Sequence, residues 1–408
     1  MSSPDLTDAE RNAVLDVLRT PTLSIGPRIE AFERAVAAYT GLRYAAGVSS
    51  GTSGLHLCVI AAGVEEGDLV ITTPFSFVAS ANCILYERGI PVFVDVDPAT
   101  GNIDPALVAQ AAHDLARGGP SAQRWLPPSL RSTQYAARST HHASRITHHA
   151  SRRLKAILPV HAFGQPADLD PILAAAHEHG LALIEDACEA LGSEYKGRRV
   201  GTLGDAGVFA FYPNKHVTTG EGGMIVTNRP EWDALFRSLR NQGRDVFDAW
   251  LNHTRLGYNY RLDEMSAALG LAQLGRIEEL LAKRDRVARW YNERLAGVEG
   301  VRVPFIAPST TRMSWFVYVV RFAPKVDRTA VMGHLEEAGI PSRPYFTPIH
   351  LQPFYAARFG YRRGDFPVTE ALGDTCLALP FSSVMGEGEV DYVCQHLASA
   401  LRQHVTRN

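Results

Sequence analysis

Cysteine is scarce in this chain of 408 residues: there are five, at positions 58, 83, 188, 376 and 394, scattered and without a CxxC pair. Such usage argues against a disulfide framework and supplies no zinc or redox motif, so reduced, mostly buried thiols are expected. Long apolar runs are missing too, which excludes a membrane-spanning helix and with it a membrane partner. The N-terminal MSSPDLTDAERNAVLDVL lacks the basic start and apolar stretch of a secretory signal, so a cytoplasmic protein is expected. Neither sign of charge dominates. With 41 Lys and Arg against 43 Asp and Glu, the net charge of -2 gives no general reason to bind nucleic acid.

What is present is a chain long enough for two domains, with 46% hydrophobic and 21% charged residues, ordinary for a globular protein. From Ile29 to Val226, helical stretches alternate with the short apolar runs AAGV, LVITT, PVFVDV, KAILPV, LALIED, GVFAFY and GMIVT. That alternation predicts an α/β fold, a mostly parallel sheet covered by helices on both faces. Apolar residues three and four apart then predict one long helix from about Leu262 to Leu295. The large domain is therefore expected over residues 1–275. The remainder, 276–408, mixes strand-like SWFVYVVRF with helical DRTAVMGHLEEAG and a closing helix, and reads as a smaller α+β domain.

One stretch breaks the pattern. Residues 118–153 hold six arginines and no acidic residue, with Arg124, Arg131, Arg138, Arg145 and Arg152 spaced by seven and STHHASR followed directly by ITHHASR. With few large apolar groups, the segment is expected to be a solvated surface insertion, since it cannot bury enough surface to offset its ordering entropy. Its two His-His pairs invite a metal reading, but a repeat without fixed geometry lacks what a selective site needs, and no metal is expected. Its arginines also suit electrostatic steering of an anionic substrate.

Five pieces carry chemistry. In SSGTSGLHL, Gly51, Thr52 and Ser53 follow a strand and open a helix, where backbone N–H groups suit a phosphate; alone, such a turn is equally a helix cap. In TTPFSFVAS, Phe75 and Phe77 follow a strand end and offer rings to a planar cofactor or to the core. LALIEDACEA delivers Glu185 and Asp186 at the carboxyl end of a strand, where open parallel sheets bind ligands. A carboxylate there can keep a pyridinium nitrogen protonated. GVFAFYPNKHVTTGEGG runs a buried strand into Lys215 and a Gly-rich turn, and an amine in apolar surroundings can form an imine with an aldehyde. Last, RLGYNYRLDEMSAA places Asn259 and Arg261 just before a helix, within reach of a phosphate or substrate.

Together these pieces resemble the DegT/StrS-type sugar aminotransferases, a branch of the fold-type-I pyridoxal-phosphate enzymes. The likeness continues through VHAFGQPADLD, AGIPSRPYFTPIHLQPFY and LALPFSS, covering nearly all of the chain outside residues 118–153. It implies a seven-stranded-type sheet, pyridoxal 5'-phosphate as cofactor, and an amino donor, glutamate in much of the family, with a nucleotide-linked keto sugar as leading acceptor and a free keto cyclitol as the second. Carried over by position, the cofactor-bearing lysine falls on Lys215, the pyridine-nitrogen carboxylate on Asp186 and the stacking ring on Phe77. The phosphate cup falls on Gly51, Thr52 and Ser53, with Asn259 reaching in from a partner subunit of a homodimer. Tyr345, His350 and Arg261 fall on the substrate side.

Three departures accompany the resemblance. Ala210 stands where the family commonly has a phosphate-donating serine, a loss of about 1.5–3 kcal/mol in cofactor affinity unless Asn214, Thr218 or Thr219 compensates. Glu189 stands where a neutral Gln or His usually lies beside the cofactor's phenolic oxygen, to which an ionised carboxylate cannot donate. A dehydratase branch carries His in place of the lysine; here Lys215 is present and His216 merely follows it, which favours transamination. Other pyridoxal-phosphate sugar chemistry (a dehydratase or epimerase) and a non-catalytic regulatory protein are the alternatives.

Overall fold

Each of the seven apolar runs becomes a strand of one sheet. The computed structural model describes residues 3–131, 153–245 and 252–404. Its first five strands are β1 (Tyr44–Val48), β2 (Leu69–Thr72), β3 (Ile90–Phe93), β4 (Leu154–Ile157) and β5 (Ala182–Asp186). A short hairpin, β6 (Glu194–Tyr195) and β7 (Arg198–Arg199), precedes β8 (Ala206–Ala210) and β9 (Gly223–Thr227). The seven-stranded sheet has the order β1-β9-β8-β5-β4-β2-β3. Strands β8, β5, β4, β2 and β3 run parallel, and β9 lies antiparallel between β8 and β1.

Both faces of this sheet are covered, which is why its strands read as continuous apolar runs. Side chains alternate between the faces. Ile71, Ile157, Leu183 and Phe209 enter one core with the helices Pro105–Arg117 and Leu169–His179. Val70, Ala156, Ile184 and Val208 enter the other with Gly51–Ala61 and Pro230–Arg240. Two antiparallel steps through β9 leave β1 parallel to β8, so the carboxyl ends of β1, β2, β5 and β8 share one edge. Ligand sites of open α/β sheets form there.

The C-terminal part builds a three-stranded sheet, β10 (Val301–Arg302), β12 (Tyr318–Phe322) and β13 (Cys376–Leu379), in the order β10-β12-β13. Helices Arg328–Glu337 and Glu387–His404 pack on it through Leu335 and Leu397. Parts of this region also pack against elements of residues 1–275. Strand β11 (Thr310–Arg312) pairs with β6, while Ile349, Tyr355, Phe359 and Tyr361 enter the same core as Phe93. Among the described residues no helix is long and apolar enough to cross a membrane.

Two expectations need correction. The insertion is not solvated throughout: Ala122 and Leu126 are buried in the large core, and Trp125 Nε1 donates to Asp114 Oδ2 at 2.8 Å beside the Arg124–Asp114 ion pair. Ala122, Trp125 and Leu126, clustered just before Pro127, give this stretch enough apolar surface to pack. The repeat itself, with its two His-His pairs, lies outside the described residues. The long helix is really two, Glu264–Gly275 and Ile277–Leu295, broken at Arg276 with φ -109° and ψ 9°. Helical periodicity runs through the break. A tertiary contact coincides with it, Arg276 Nη1 reaching Glu10 Oε1 at 2.8 Å on the N-terminal helix.

Glu10 also accepts from Thr7 N at 2.7 Å and Gln273 Nε2 at 2.8 Å, and these partners outweigh burial to hold its carboxyl at about 2 against an ordinary 4.5. A depressed carboxyl stabilises the fold above its unfolded value, and the effect fades as pH falls from 4.5 toward 2. Glu10→Gln should therefore cost about 2 kcal/mol at pH 7. Urea unfolding of both proteins should show the gap closing as pH drops through that window; a gap constant with pH would assign the loss to packing instead.

Candidate active site

The strand ends converge on one cavity of about 1280 Å³. Strand β5 ends in two carboxylates that its alternation sends apart. Glu185, fully buried, accepts from the backbone N–H groups of Gly201, Leu203 and Gly204 at 2.6–2.7 Å and so folds the turn before β8. His161 completes that anchor: its Nδ1 accepts from Ala167 N at 3.0 Å, which leaves the proton on Nε2 to donate to Glu185 Oε2 at 3.0 Å. Asp186 instead lines the cavity, with Cys188 N donating to its Oδ1 at 3.2 Å. Burial pushes the Asp186 carboxyl above its ordinary range, against hydrogen bonds from Cys188 and the charge of Lys215.

Lys215 arrives on the loop from β8 to β9. Phe211 N donates to Gly222 O, and Thr219 N to Phe211 O, both at 2.9 Å, which draws the TTGEGG turn back over the strand end. The Lys215 ammonium lies 3.8 Å from the centre of the Phe316 ring and 3.6 Å from Glu189 Oε1. Glu189 Oε2 accepts from Phe163 N at 2.9 Å. Burial pushes the Glu189 carboxyl up, and the Lys215 charge and the Phe163 N–H oppose it. The departure at Glu189 thus gains two partners within the chain. His216 is buried beside Phe316, and burial with the Arg284 and Lys215 charges keeps it neutral. It does not line the cavity.

At the helix start, Gly51 and Thr52 line the cavity together with Ser50, which caps the helix by accepting from Ser53 N at 3.0 Å. Gly51 permits the close approach: a Cβ there would lie 2.7 Å from Cys188 Sγ and 2.8 Å from the Ala210 methyl. Ser53 is not in the lining, because its hydroxyl turns inward to Ser50 Oγ at 2.7 Å and Ser49 Oγ at 3.0 Å. Of the three residues that stand to compensate for Ala210, Thr218 and Thr219 spend their hydroxyls on Phe211 O and Glu221 O. Asn214 remains: it lines the cavity, its amide NH2 is the group able to donate to a phosphate, and its buried Oδ1 has no hydrogen-bond partner among the described residues.

Phe77 lines the cavity and is 62% exposed, whereas Phe75 is buried against Phe163 and Phe346. Tyr345 lines it as well, its phenol pushed up by burial and by Glu189. His350 is not in the lining: its ring is fully buried against Phe366, with Nε2 bonded to Glu370 Oε1 at 3.0 Å, so it braces the loop beside the cavity. Its apolar neighbours Ile349 and Tyr355 on the same segment reach the lining instead. Arg261 also stays out, donating to Asn241 Oδ1 at 3.0 Å, and Asn259 is exposed outside its own chain's cavity. Phe316 and Arg358 line the cavity without any signal in their local sequence, since both come from distant segments.

These groups fit pyridoxal phosphate. Asp186 is a buried carboxylate that makes no ion pair among the described residues and feels the Lys215 charge only at longer range, and a protonated ring nitrogen would supply its counter-charge. Lys215 offers an amine to the aldehyde, Phe77 a free ring face, and the helix start at Gly51 and Thr52 its N–H dipoles to the phosphate.

Comparison with known proteins agrees with the geometry. The DegT/DnrJ/EryC1/StrS aminotransferase family matches residues 4–116 and 136–398. The GDP-perosamine synthase of Caulobacter vibrioides is 37% identical over 98% of both chains. The spore coat polysaccharide biosynthesis protein SpsC of Bacillus subtilis is 32% identical over 97% of this chain and 95% of its own. Among solved structures, the aminotransferase TlmJ from Streptoalloteichus hindustanus superposes with a TM-score of 0.83 at 30% identity, covering 98% of both chains.

Proposed function

The chain belongs to the DegT/DnrJ/EryC1/StrS aminotransferase family, and from that premise we propose that it transfers an amino group from L-glutamate to a nucleotide-linked keto sugar. The observation that carries this reading is the meeting of Lys215 and Asp186 in one cavity larger than the roughly 300–1,000 Å³ of ordinary small-molecule sites. There is room for a cofactor and a two-part substrate. Bound pyridoxal phosphate supplies an aldehyde that can take up an amino group and a ring that withdraws electrons. Asp186 would hold the ring nitrogen protonated, Phe77 would cover one ring face, and Gly51, Thr52 and Asn214 would grip the phosphate. Lys215, once its amine is free, takes a proton from the donor's α-carbon and returns one as general acid. Glu189 offers its buried carboxyl as the neighbour that balances the Lys215 charge between these states.

The far end of the cavity favours a nucleotide-linked acceptor. Tyr86 and Phe354, 49% and 55% exposed, present aromatic faces to a base, and the Arg358 guanidinium suits a diphosphate. Exposed apolar groups at the rim, Phe77 and Tyr212, and the outward Asn259 support a two-fold homodimer in which each copy completes the other's cavity. Light scattering on the purified protein tests that assembly.

The activity is tested in two halves. Glutamate alone should convert the bound cofactor from its aldehyde to its amine form, and one of a panel of nucleotide keto sugars should restore it. A cofactor that glutamate cannot discharge would turn the reading toward other sugar chemistry or a regulatory role. Arg358→Gln should raise KM for the sugar about tenfold while leaving the glutamate half-reaction unchanged. Equal KM in both proteins would remove Arg358 from the substrate site.

A further inference from the structure

Arg284, on the helix Ile277–Leu295, is only 2% exposed and is paired with no carboxylate among the described residues. Its guanidinium is satisfied by four backbone carbonyls. Nη1 donates to Trp315 O at 3.2 Å and Phe316 O at 3.1 Å, while Nη2 donates to Asn214 O at 3.3 Å and Lys215 O at 2.9 Å. Nε has no partner, and burial alone brings the guanidinium down to about 10. A buried charge held by carbonyl dipoles and by the Phe381 ring 5.7 Å away, with no counter-charge, is costly, and apolar replacements at such places are often neutral or stabilising. Stability therefore does not account for this choice of residue.

The four carbonyls belong to two segments a hundred positions apart, and those segments carry the two halves of the Lys215 environment. One bears the amine itself. The other bears the Phe316 ring whose face lies 3.8 Å from that amine. A planar fork spans both carbonyl pairs at once, which a single ammonium cannot do. We propose that Arg284 is a positioning residue for Lys215, locking the backbone of the amine and that of its Phe316 seat into one fixed arrangement. Glu189 meets the ammonium end at 3.6 Å, and Asp186, Cys188 and His216 lie within reach of its charge; Arg284 instead holds the backbone where the side chain begins.

The inference rests on Lys215 as the cofactor-bearing amine, and borohydride trapping on the parent enzyme decides that separately. The test compares the cofactor-loaded parent with Arg284→Met and Arg284→Lys. Four quantities are read: the fraction of cofactor reducible onto the Lys215 peptide, kcat and KM for the glutamate half-reaction, and thermal stability without cofactor. Misplacing the amine by about 1 Å should lower kcat roughly 100-fold in Arg284→Met with KM within about threefold, and the trapped fraction should fall. Arg284→Lys should recover no more than about a tenth of the parent rate. Variants that trap cofactor and turn over within twofold of the parent, whatever their melting temperature, overturn the proposal. Should neither fold, Phe316→Leu keeps the carbonyl contacts and removes the seat; an unchanged kcat there overturns it equally, and a tenfold loss supports it.

Discussion

Lys215→Ala should lower kcat by at least about 10⁴ and leave the protein folded. The chain has five lysines, and the other four are engaged outside the cavity: Lys196 with Asp170, Lys283 with Asp5, Lys155 with Asp68 and Lys325 with Glu299. Only Lys215 among them lines the cavity. On the proposed reading, removing it would delete both the covalent anchor of the cofactor and the group that moves the proton, so the losses would compound. The fold should survive because Glu189, left without its cation, is already pushed toward its neutral form by burial and keeps the Phe163 N–H. Borohydride reduction of the parent followed by peptide mapping should place the label on Lys215. Label on any of the other four lysines defeats the assignment, as does substantial turnover by the alanine variant.

Asp186→Asn should lower kcat roughly 10³-fold while leaving the cofactor trapped on Lys215. The substitution keeps shape and hydrogen-bonding capacity, including an acceptor for Cys188 N, and removes only the charge. On the proposed reading, a bound ring nitrogen would lose its proton without that charge, and the ring its power to stabilise developing negative charge. In the cofactor-free protein the sign reverses. Burial disfavours the ionised carboxylate, so the asparagine variant should melt at the same temperature as the parent or higher. Stopped-flow absorbance of the glutamate half-reaction measures the first effect and calorimetry the second. A half-reaction within tenfold of the parent would falsify the assignment of Asp186 to the ring nitrogen.

The seven strands were legible because a sheet buried on both faces demands uninterrupted apolar runs, and local composition records that demand directly. Lys215 and Asp186 were legible for a related reason: each ends such a run, and the carboxyl edge of a parallel sheet is where strand ends meet a ligand. Side chains on loops were harder to read. Ser53, His350 and Arg261 lie within a few positions of lining residues yet turn into the protein, because Ser49, Glu370 and Asn241 offer closer partners than the cavity does. The break at Arg276 was hidden in the same way, since periodicity cannot register the salt bridge that coincides with it, to a helix more than two hundred residues earlier. By itself, then, the order of residues determined the sheet, the lysine and the carboxylate, where the governing physics acts between neighbours in the chain. Tertiary structure alone decided that Phe316 seats the amine, that Arg284 joins the two segments and that part of the basic insertion packs, because each depends on groups that only folding brings within a few ångströms.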